Sequence, residues 1–219
     1  MGIASYIDHT LLKADATAED IRTLVNEGLS YSFHSVCVNS SWVGYVRSLI
    51  PSESTLKITS VVGFPLGAMS TEGKIAETEA AIRDGADEID MVVNIGRVKS
   101  GDIDYVEREL SLLRKASEGH VLKVILETCL LTKDEIVKLC KIAEVAGADF
   151  VKTSTGFSIK GATPEDVALM RKSVSERVKV KASGGIRSYK DALLMIECGA
   201  DRLGVSSGVK IVEEEKKES

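Results

Sequence analysis

The chain has 219 residues, enough for one domain with a full hydrophobic core, and its 44% hydrophobic and 28% charged content is that of an ordinary globule. A formal net charge of -5 gives no global attraction to nucleic acid or to anionic lipid. No stretch is apolar for long enough to span a bilayer, and the opening residues lack the basic flank and apolar core of a signal peptide, so a cytoplasmic protein without membrane or nucleic-acid partners is expected. Cys37, Cys129, Cys140 and Cys198 are widely separated, which fits free thiols in a reducing compartment better than a disulfide framework.

In chain order, Tyr6 to Asp8 reads as a short strand ending in polar Asp8, His9 and Thr10. Thr17 caps the first helix, with Asp20 as its reciprocal partner and Ile21, Leu24, Val25 and Gly28 as the buried stripe. Val36 to Val38 forms the second strand, and Asn39 to Leu49 reads as a helix that stops before Pro51. Leu56 to Val62 is the third strand, and the helix from about Thr71 to Asp84 is expected to turn Ile75, Ala76 and Ile82 inward. Glu88 to Val93 and Leu122 to Leu126 are the next strands, with a helix from about Asp102 to Ser117 between them. Thr132 and Glu135 form a capping box for a helix with inner positions Ile136, Leu139, Cys140, Ala143 and Ala146.

The sixth strand carries Lys152, and the seventh carries Lys181. Thr163-Pro164-Glu165-Asp166 starts the helix between them, combining a cap, a first-turn proline and acidic residues. Ser188 with Asp191 starts the following helix, and a short eighth strand lies near Arg202 to Val205. Ser206-Ser207-Gly208 opens a last helix that is expected to fade into a frayed tail over residues 213–219.

Gly85-Ala86-Asp87, Gly147-Ala148-Asp149 and Gly199-Ala200-Asp201 each close a helix and precede a strand. Three identical junctions imply equivalent helix-turn-strand units, because glycine suits the left-handed position after a helix and alanine permits a close turn into the sheet. Eight alternations with strands of buried parallel type predict a single-domain α/β (β/α)8 TIM barrel over residues 1–219. An open doubly wound sheet would call for a glycine-rich dinucleotide turn after the first strand, and none is present.

The active site of such a barrel lies at the C-terminal ends of its strands, which selects Asp90, Glu127, Lys152 and Lys181, together with Thr10 and Cys37 as pocket lining. Either lysine alone would be read as a surface residue. As a pair at corresponding ends of successive strands, they are expected to depress each other's pKa, leaving an amine able to attack a carbonyl. Strand alternation also sends Lys179 to the same face as Lys181, so both are expected to point inward at different depths. Asp90 is the natural proton-shuttling carboxylate, with a structural ion pair as the alternative, and Glu127 reads equally well as structural or catalytic. Ser183-Gly184-Gly185 and Gly204 to Gly208 follow the last two strands, where exposed amides and serine hydroxyls cradle anions. His9, His34 and His120 show no ligand spacing. His9 and Cys37 could meet in space but lack further ligands, so no metal is expected.

These residues resemble the 2-deoxyribose-5-phosphate aldolase family, class I Schiff-base aldolases of barrel fold. The resemblance covers nearly the whole chain: Ile7 to Leu12, Val61 to Gly67, Glu88 to Asn94, Lys152 to Phe157 and Lys181 to Ile186, the last three being highly specific together. It implies Lys152 as the Schiff-base lysine, Lys181 as the lysine that perturbs it and Asp90 as the proton-relay aspartate. It places Thr155, Gly156, Gly184, Gly185, Ser206 and Ser207 around the sugar phosphate. The implied reaction cleaves 2-deoxy-D-ribose 5-phosphate reversibly to D-glyceraldehyde 3-phosphate and acetaldehyde with neither metal nor organic cofactor, in a homodimer or homotetramer. Two positions depart from some members: Phe157 stands where they carry a phosphate-site lysine, and residues 213–219 hold no tyrosine where they end in one that assists proton transfer. A lysine-dependent aldolase for another sugar phosphate and a non-catalytic phosphate-metabolite barrel are the alternatives. Cleavage of keto-sugar phosphates would mark the first, and phosphate binding without a covalent adduct the second.

Overall fold

Short strands alternate with helices, most of them begun by a side-chain cap, in the computed structural model, which describes residues 2–218. Helices α1 (Ala18–Ser30), α6 (Lys133–Val145) and α8 (Tyr189–Glu197) each begin with the reciprocal capping box expected from Thr17/Asp20, Thr132/Glu135 and Ser188/Asp191. Helix α7 (Pro164–Ser173) starts at the Thr163 cap with its first-turn proline. The remaining helices are α2 (Val43–Leu49), α3 (Thr71–Arg83), α4 (Ile95–Lys99), α5 (Ile103–Ala116) and α9 (Gly208–Glu218).

The strands are β1 (Ile7–Thr10), β2 (Ser35–Asn39), β3 (Lys57–Val62), β4 (Glu88–Val92), β5 (Val121–Ile125), β6 (Phe150–Lys152), β7 (Lys179–Ser183) and β8 (Arg202–Val205). All pair in parallel, in sequence order, and β8 closes onto β1, making a (β/α)8 barrel. The hydrophobic core lies between the strands and the helical ring, with Val36, Ile58, Ile89, Leu122, Val151, Val180 and Leu203 facing outward onto it. Among the described residues, no helix is long and apolar enough to cross a membrane.

The three Gly-Ala-Asp junctions act as clasps. Gly85, Gly147 and Gly199 have φ of 109°, 87° and 106°, the left-handed region that glycine enters freely. Each alanine is buried, and each aspartate grips the preceding strand twice. Its N–H donates to the carbonyl of Ile58, Leu122 or Val180, and its carboxylate accepts from the same residue's N–H at 2.8–2.9 Å. The repeat therefore fixes the entry of β4, β6 and β8.

Three expectations need correction. Helix α3 turns Thr71, Lys74, Thr78 and Ala81 inward, while Ala76 is exposed and Ile75 and Ile82 are half-buried. An ion pair rather than an apolar stripe sets its rotation: Lys74 Nζ lies 2.9 Å from Glu109 on α5, and both side chains are fully buried. The stretch from Asn39 begins with a 3-10 turn at Ser40–Trp42 before α2, and α4 is an additional short helix after β4. Residues 213–218 continue α9 instead of fraying: Glu213 accepts from the Tyr31 hydroxyl, Glu214 from the Tyr189 amide and Glu215 from the Ile3 amide. Ser219 lies outside the described residues.

Candidate active site

Charged residues at alternate strand positions point into the barrel, where branched aliphatics usually pack. Asp8 on β1, Glu88 and Asp90 on β4, Lys123 on β5, Lys152 on β6, Lys181 on β7 and Arg202 on β8 are all buried. Six of them form a closed ring of alternating sign. Lys123 Nζ lies 2.6 Å from both Asp90 and Glu88. Arg202 bridges Glu88 and Asp8 at 3.3 and 2.9 Å, and Lys181 bridges Asp8 and Asp90 at 2.5 and 2.8 Å. Ser35 and Thr59 complete the hydrogen bonding of Asp8 and Glu88. Below them the Phe150 ring forms a floor, with Lys123, Lys179 and Arg202 at 5.3–6.0 Å from its centroid. Lys179 is exposed at the far end of β7, which resolves its apparent competition with Lys181 for the interior.

Lys152 is the seventh member and the odd one. Among the described residues its only ion-pair partner is Asp90, at 2.7 Å through Oδ2, the oxygen that Lys181 also contacts. Three carboxylates are thus matched by Lys123, Lys181 and Arg202, and a charged Lys152 would be surplus. Burial pushes the Lys152 ammonium below the usual lysine range; Asp90 opposes this and Lys181 reinforces it. Burial would lower Lys181 as well, but Asp8 and Asp90 override it and hold its proton above the normal range. The expected mutual depression is therefore one-sided. Burial would likewise raise the carboxylates, yet the neighbouring cations keep Asp8 and Asp90 well below their usual range and bring Glu88 to about 2.

Gly204 makes this packing feasible, since a Cβ there would fall 2.9 Å from Ser183 Cβ and 3.1 Å from Lys181 Cε. At the C-terminal mouth, Lys152 borders a cavity of about 300 Å3 with Thr10, Thr155, Gly156, Gly184, Gly185 and Ser206. Phe157 also borders it and stacks edge-on against Phe64 at 5.2 Å, while Lys13 and Arg187 bring positive charge to the same rim. Gly184 has φ of 83° and a Cβ there would meet Gly161 Cα at 2.9 Å, so the loops after β6 and β7 touch backbone to backbone. A larger hollow at the opposite end, about 650 Å3, is bordered by Arg114, whose guanidinium is committed to Asp149 and the carbonyls of Ser117 and His120.

The other sequence candidates divide. Asp90 and Lys181 stand behind Lys152, fully buried, and Ser207 follows Ser206 ahead of α9 without bordering the cavity. Cys37 packs with Leu12, Val61 and Phe64, and burial pushes its thiol upward. His9 does not meet Cys37. It points outward to Glu27 on α1 at 2.6 Å, while Cys37 faces inward. Asp8, His34 and Glu88 do bring ligand-type atoms within 4.8 Å of one another, a grouping that spacing did not suggest, but both carboxylates already serve the ionic ring. Sequence reasoning missed Lys123, Glu88, Arg202 and the part played by Asp8. The available signal was charge at every second position of apolar strands.

Comparison with known proteins agrees with this geometry. Residues 3–214 match the model of the DeoC/LacD family aldolases. The chain is 58% identical over 213 residues to a deoxyribose-phosphate aldolase of Finegoldia magna, covering 97% of this chain and 100% of that one. It is 55% identical over 216 residues to that of Thermococcus gammatolerans, covering 97% and 96%. The tetrameric deoxyribose phosphate aldolase of Aeropyrum pernix superimposes with a TM-score of 0.87 at 38% identity, covering 99% of this chain and 92% of that one. With its family pattern running through every strand of the barrel, this chain belongs to the DeoC/LacD family of aldolases.

Proposed function

We propose that this chain cleaves 2-deoxy-D-ribose 5-phosphate reversibly to D-glyceraldehyde 3-phosphate and acetaldehyde through a Schiff base on Lys152. The observation that carries the reading is the position of Lys152. Among the described residues it is the cation pointing into the barrel that lies outside the alternating ring, its proton is destabilised by burial, and its side chain borders the cavity. The identity to deoxyribose-phosphate aldolases over nearly the full chain supports the choice of substrate.

The neutral amine adds to the aldehyde carbon of the open-chain sugar, and loss of water leaves an iminium. The proton of the C3 hydroxyl passes through water to the Asp90–Lys181 pair as the C2–C3 bond breaks, and the bonding electrons move into the iminium to give an enamine. Glyceraldehyde 3-phosphate departs. The enamine takes a proton at carbon, and hydrolysis releases acetaldehyde and the free amine. Lys181 suits the relay because Asp8 and Asp90 keep it charged, so it holds a proton near the reacting oxygen without competing as nucleophile. Thr155, Gly156, Gly184, Gly185 and Ser206 hold the phosphate, and Ser207, outside the cavity lining, leads into the first turn of α9 that supports them. Thr10 lines the cavity, and Cys37 packs behind it against Leu12, Val61 and Phe64 without bordering it.

The tetrameric Aeropyrum structure supports a homo-oligomer, a dimer or tetramer, and Val145 and Ile159, 88% and 77% exposed, offer apolar surface for it. The four free cysteines suit a cytoplasmic location. Purified protein is expected to release acetaldehyde from 2-deoxyribose 5-phosphate, and Lys152→Ala to lose that activity by at least about a thousandfold. Faster cleavage of a keto-sugar phosphate would instead favour a different lysine-dependent aldolase.

A further inference from the structure

Glu127 is a buried carboxylate at the cavity end of the barrel that the reaction above leaves unused. It is 2% exposed and forms none of the ion pairs of the interior. Its backbone sits at φ 58°, ψ 61°, a left-handed conformation that costs any residue carrying a Cβ, just after β5. Leu126 and Thr128 on either side donate to the carbonyls of Lys152 and Thr153, so the backbone is zipped to the end of β6 and the kink aims the side chain along the following loop.

That side chain makes a specific contact. Glu127 Oε1 accepts the Thr155 amide at 3.2 Å, and Oε2 accepts the Thr155 hydroxyl in a very short hydrogen bond. The Thr155 hydroxyl in turn accepts the Phe157 amide at 3.1 Å. Glu127 therefore fixes both ends of the Thr155–Gly156–Phe157 turn, whose Gly156 lies against Gly184 across the cavity. The carboxylate accepts from both Thr155 donors at once; an amide in its place would turn an NH2 toward one of them, so that the hydroxyl would have to accept instead of donate.

We propose that Glu127 is a positioning residue that presets the Thr155–Phe157 turn for the phosphate end of the substrate. The inference rests on the phosphate-binding reading given above. Glu127 does not border the cavity itself and acts through Thr155, so its removal weakens phosphate recognition and leaves amine chemistry at Lys152 intact.

The test compares wild type, Glu127→Gln, Thr155→Val and the double variant on 2-deoxyribose 5-phosphate and on unphosphorylated 2-deoxyribose. Glu127→Gln is expected to raise KM for the phosphorylated sugar about tenfold or more, with kcat within about twofold and KM for deoxyribose unchanged. Reductive trapping of acetaldehyde on Lys152 should keep its wild-type rate, and the double variant should be no worse than the worse single one. Equal loss of kcat on both sugars, or multiplying effects in the double variant, would overturn the proposal. If Glu127→Gln does not fold, Thr155→Val must show the same KM-selective loss, and a kcat-selective loss there overturns it. A wild type indifferent to the phosphate would refute the phosphate-binding reading itself. A wild type that discriminates, with a variant that discriminates equally, refutes the role of Glu127 alone.

Discussion

Lys152 differs from the other cations of the interior by its surroundings. Lys123, Lys181 and Arg202 each bridge at least two carboxylates, whereas Lys152 touches one that is already shared. Asp90→Asn removes the negative charge that favours its ammonium, so the amine becomes easier to deprotonate while the relay is lost. The variant is expected to keep forming a trappable acetaldehyde adduct but to turn over deoxyribose phosphate about a hundredfold or more slowly, as single-turnover and steady-state rates will show. Lys123→Met acts in the opposite sense. It leaves Asp90 and Glu88 undercompensated, raises the Lys152 pKa, and moves the acid limb of the kcat/KM profile to higher pH. A limb that stays in place would separate Lys123 from the nucleophile. Lys152 was legible in the sequence because it ends the short apolar β6. Asp90 and Lys181 were legible because each interrupts an apolar run, although both lie in mid-strand rather than at the strand ends expected for them. Lys123, Glu88 and Arg202 were not, because their pairing depends on the stagger that closes β8 onto β1 and brings distant strands together across the barrel.

At the scale of the elements, local signals held wherever the chemistry was local. Three capping boxes and three Gly-Ala-Asp clasps fall at their expected positions, since each involves residues a few positions apart or one strand boundary. Helix α3 was misread because its inner face is chosen by Glu109 on another helix. The Lys74 ammonium bridges Glu109 and the Val92 carbonyl at the end of β4, so the pair fastens α3 and α5 to the strand that carries Asp90. Burial lowers the Lys74 pKa and Glu109 opposes that shift. Lys74→Met would strand a buried carboxylate and should cost about 3–5 kcal/mol in urea unfolding. Lys74→Met combined with Glu109→Leu should recover much of that loss; a double variant as unstable as the single one would show that the pair itself, rather than the orphaned charge, is what matters.

The whole molecule is built inside out relative to a simple globule. An apolar shell between strands and helices encloses an ionic axis, so acid attacks the barrel from within. The native pKa values of Asp8, Asp90 and Glu88 lie below the ordinary carboxylate range they regain on unfolding. Their contribution is fully present above about pH 5 and is lost progressively as pH falls through about 4 towards 2 and below, where the native carboxylates take up protons. The urea midpoint is expected to drop steeply over that range, and Glu88→Gln to flatten the slope. A midpoint unchanged between pH 5 and 3 would mean that the ring contributes no pH-dependent stability. Barrel class was legible from eight alternations and the junction repeat, while the ordered α9 was not, because Tyr31, Tyr189 and Ile3 anchor it from far along the chain.

The most direct test of this account is peptide mapping after incubation with acetaldehyde and borohydride. A reduced two-carbon adduct on Lys152 alone, absent in Lys152→Ala and formed with an apparent pKa below that of ordinary lysine, is the predicted result. Labelling centred on Lys181, or spread across surface lysines with Lys152 unmodified, would contradict it.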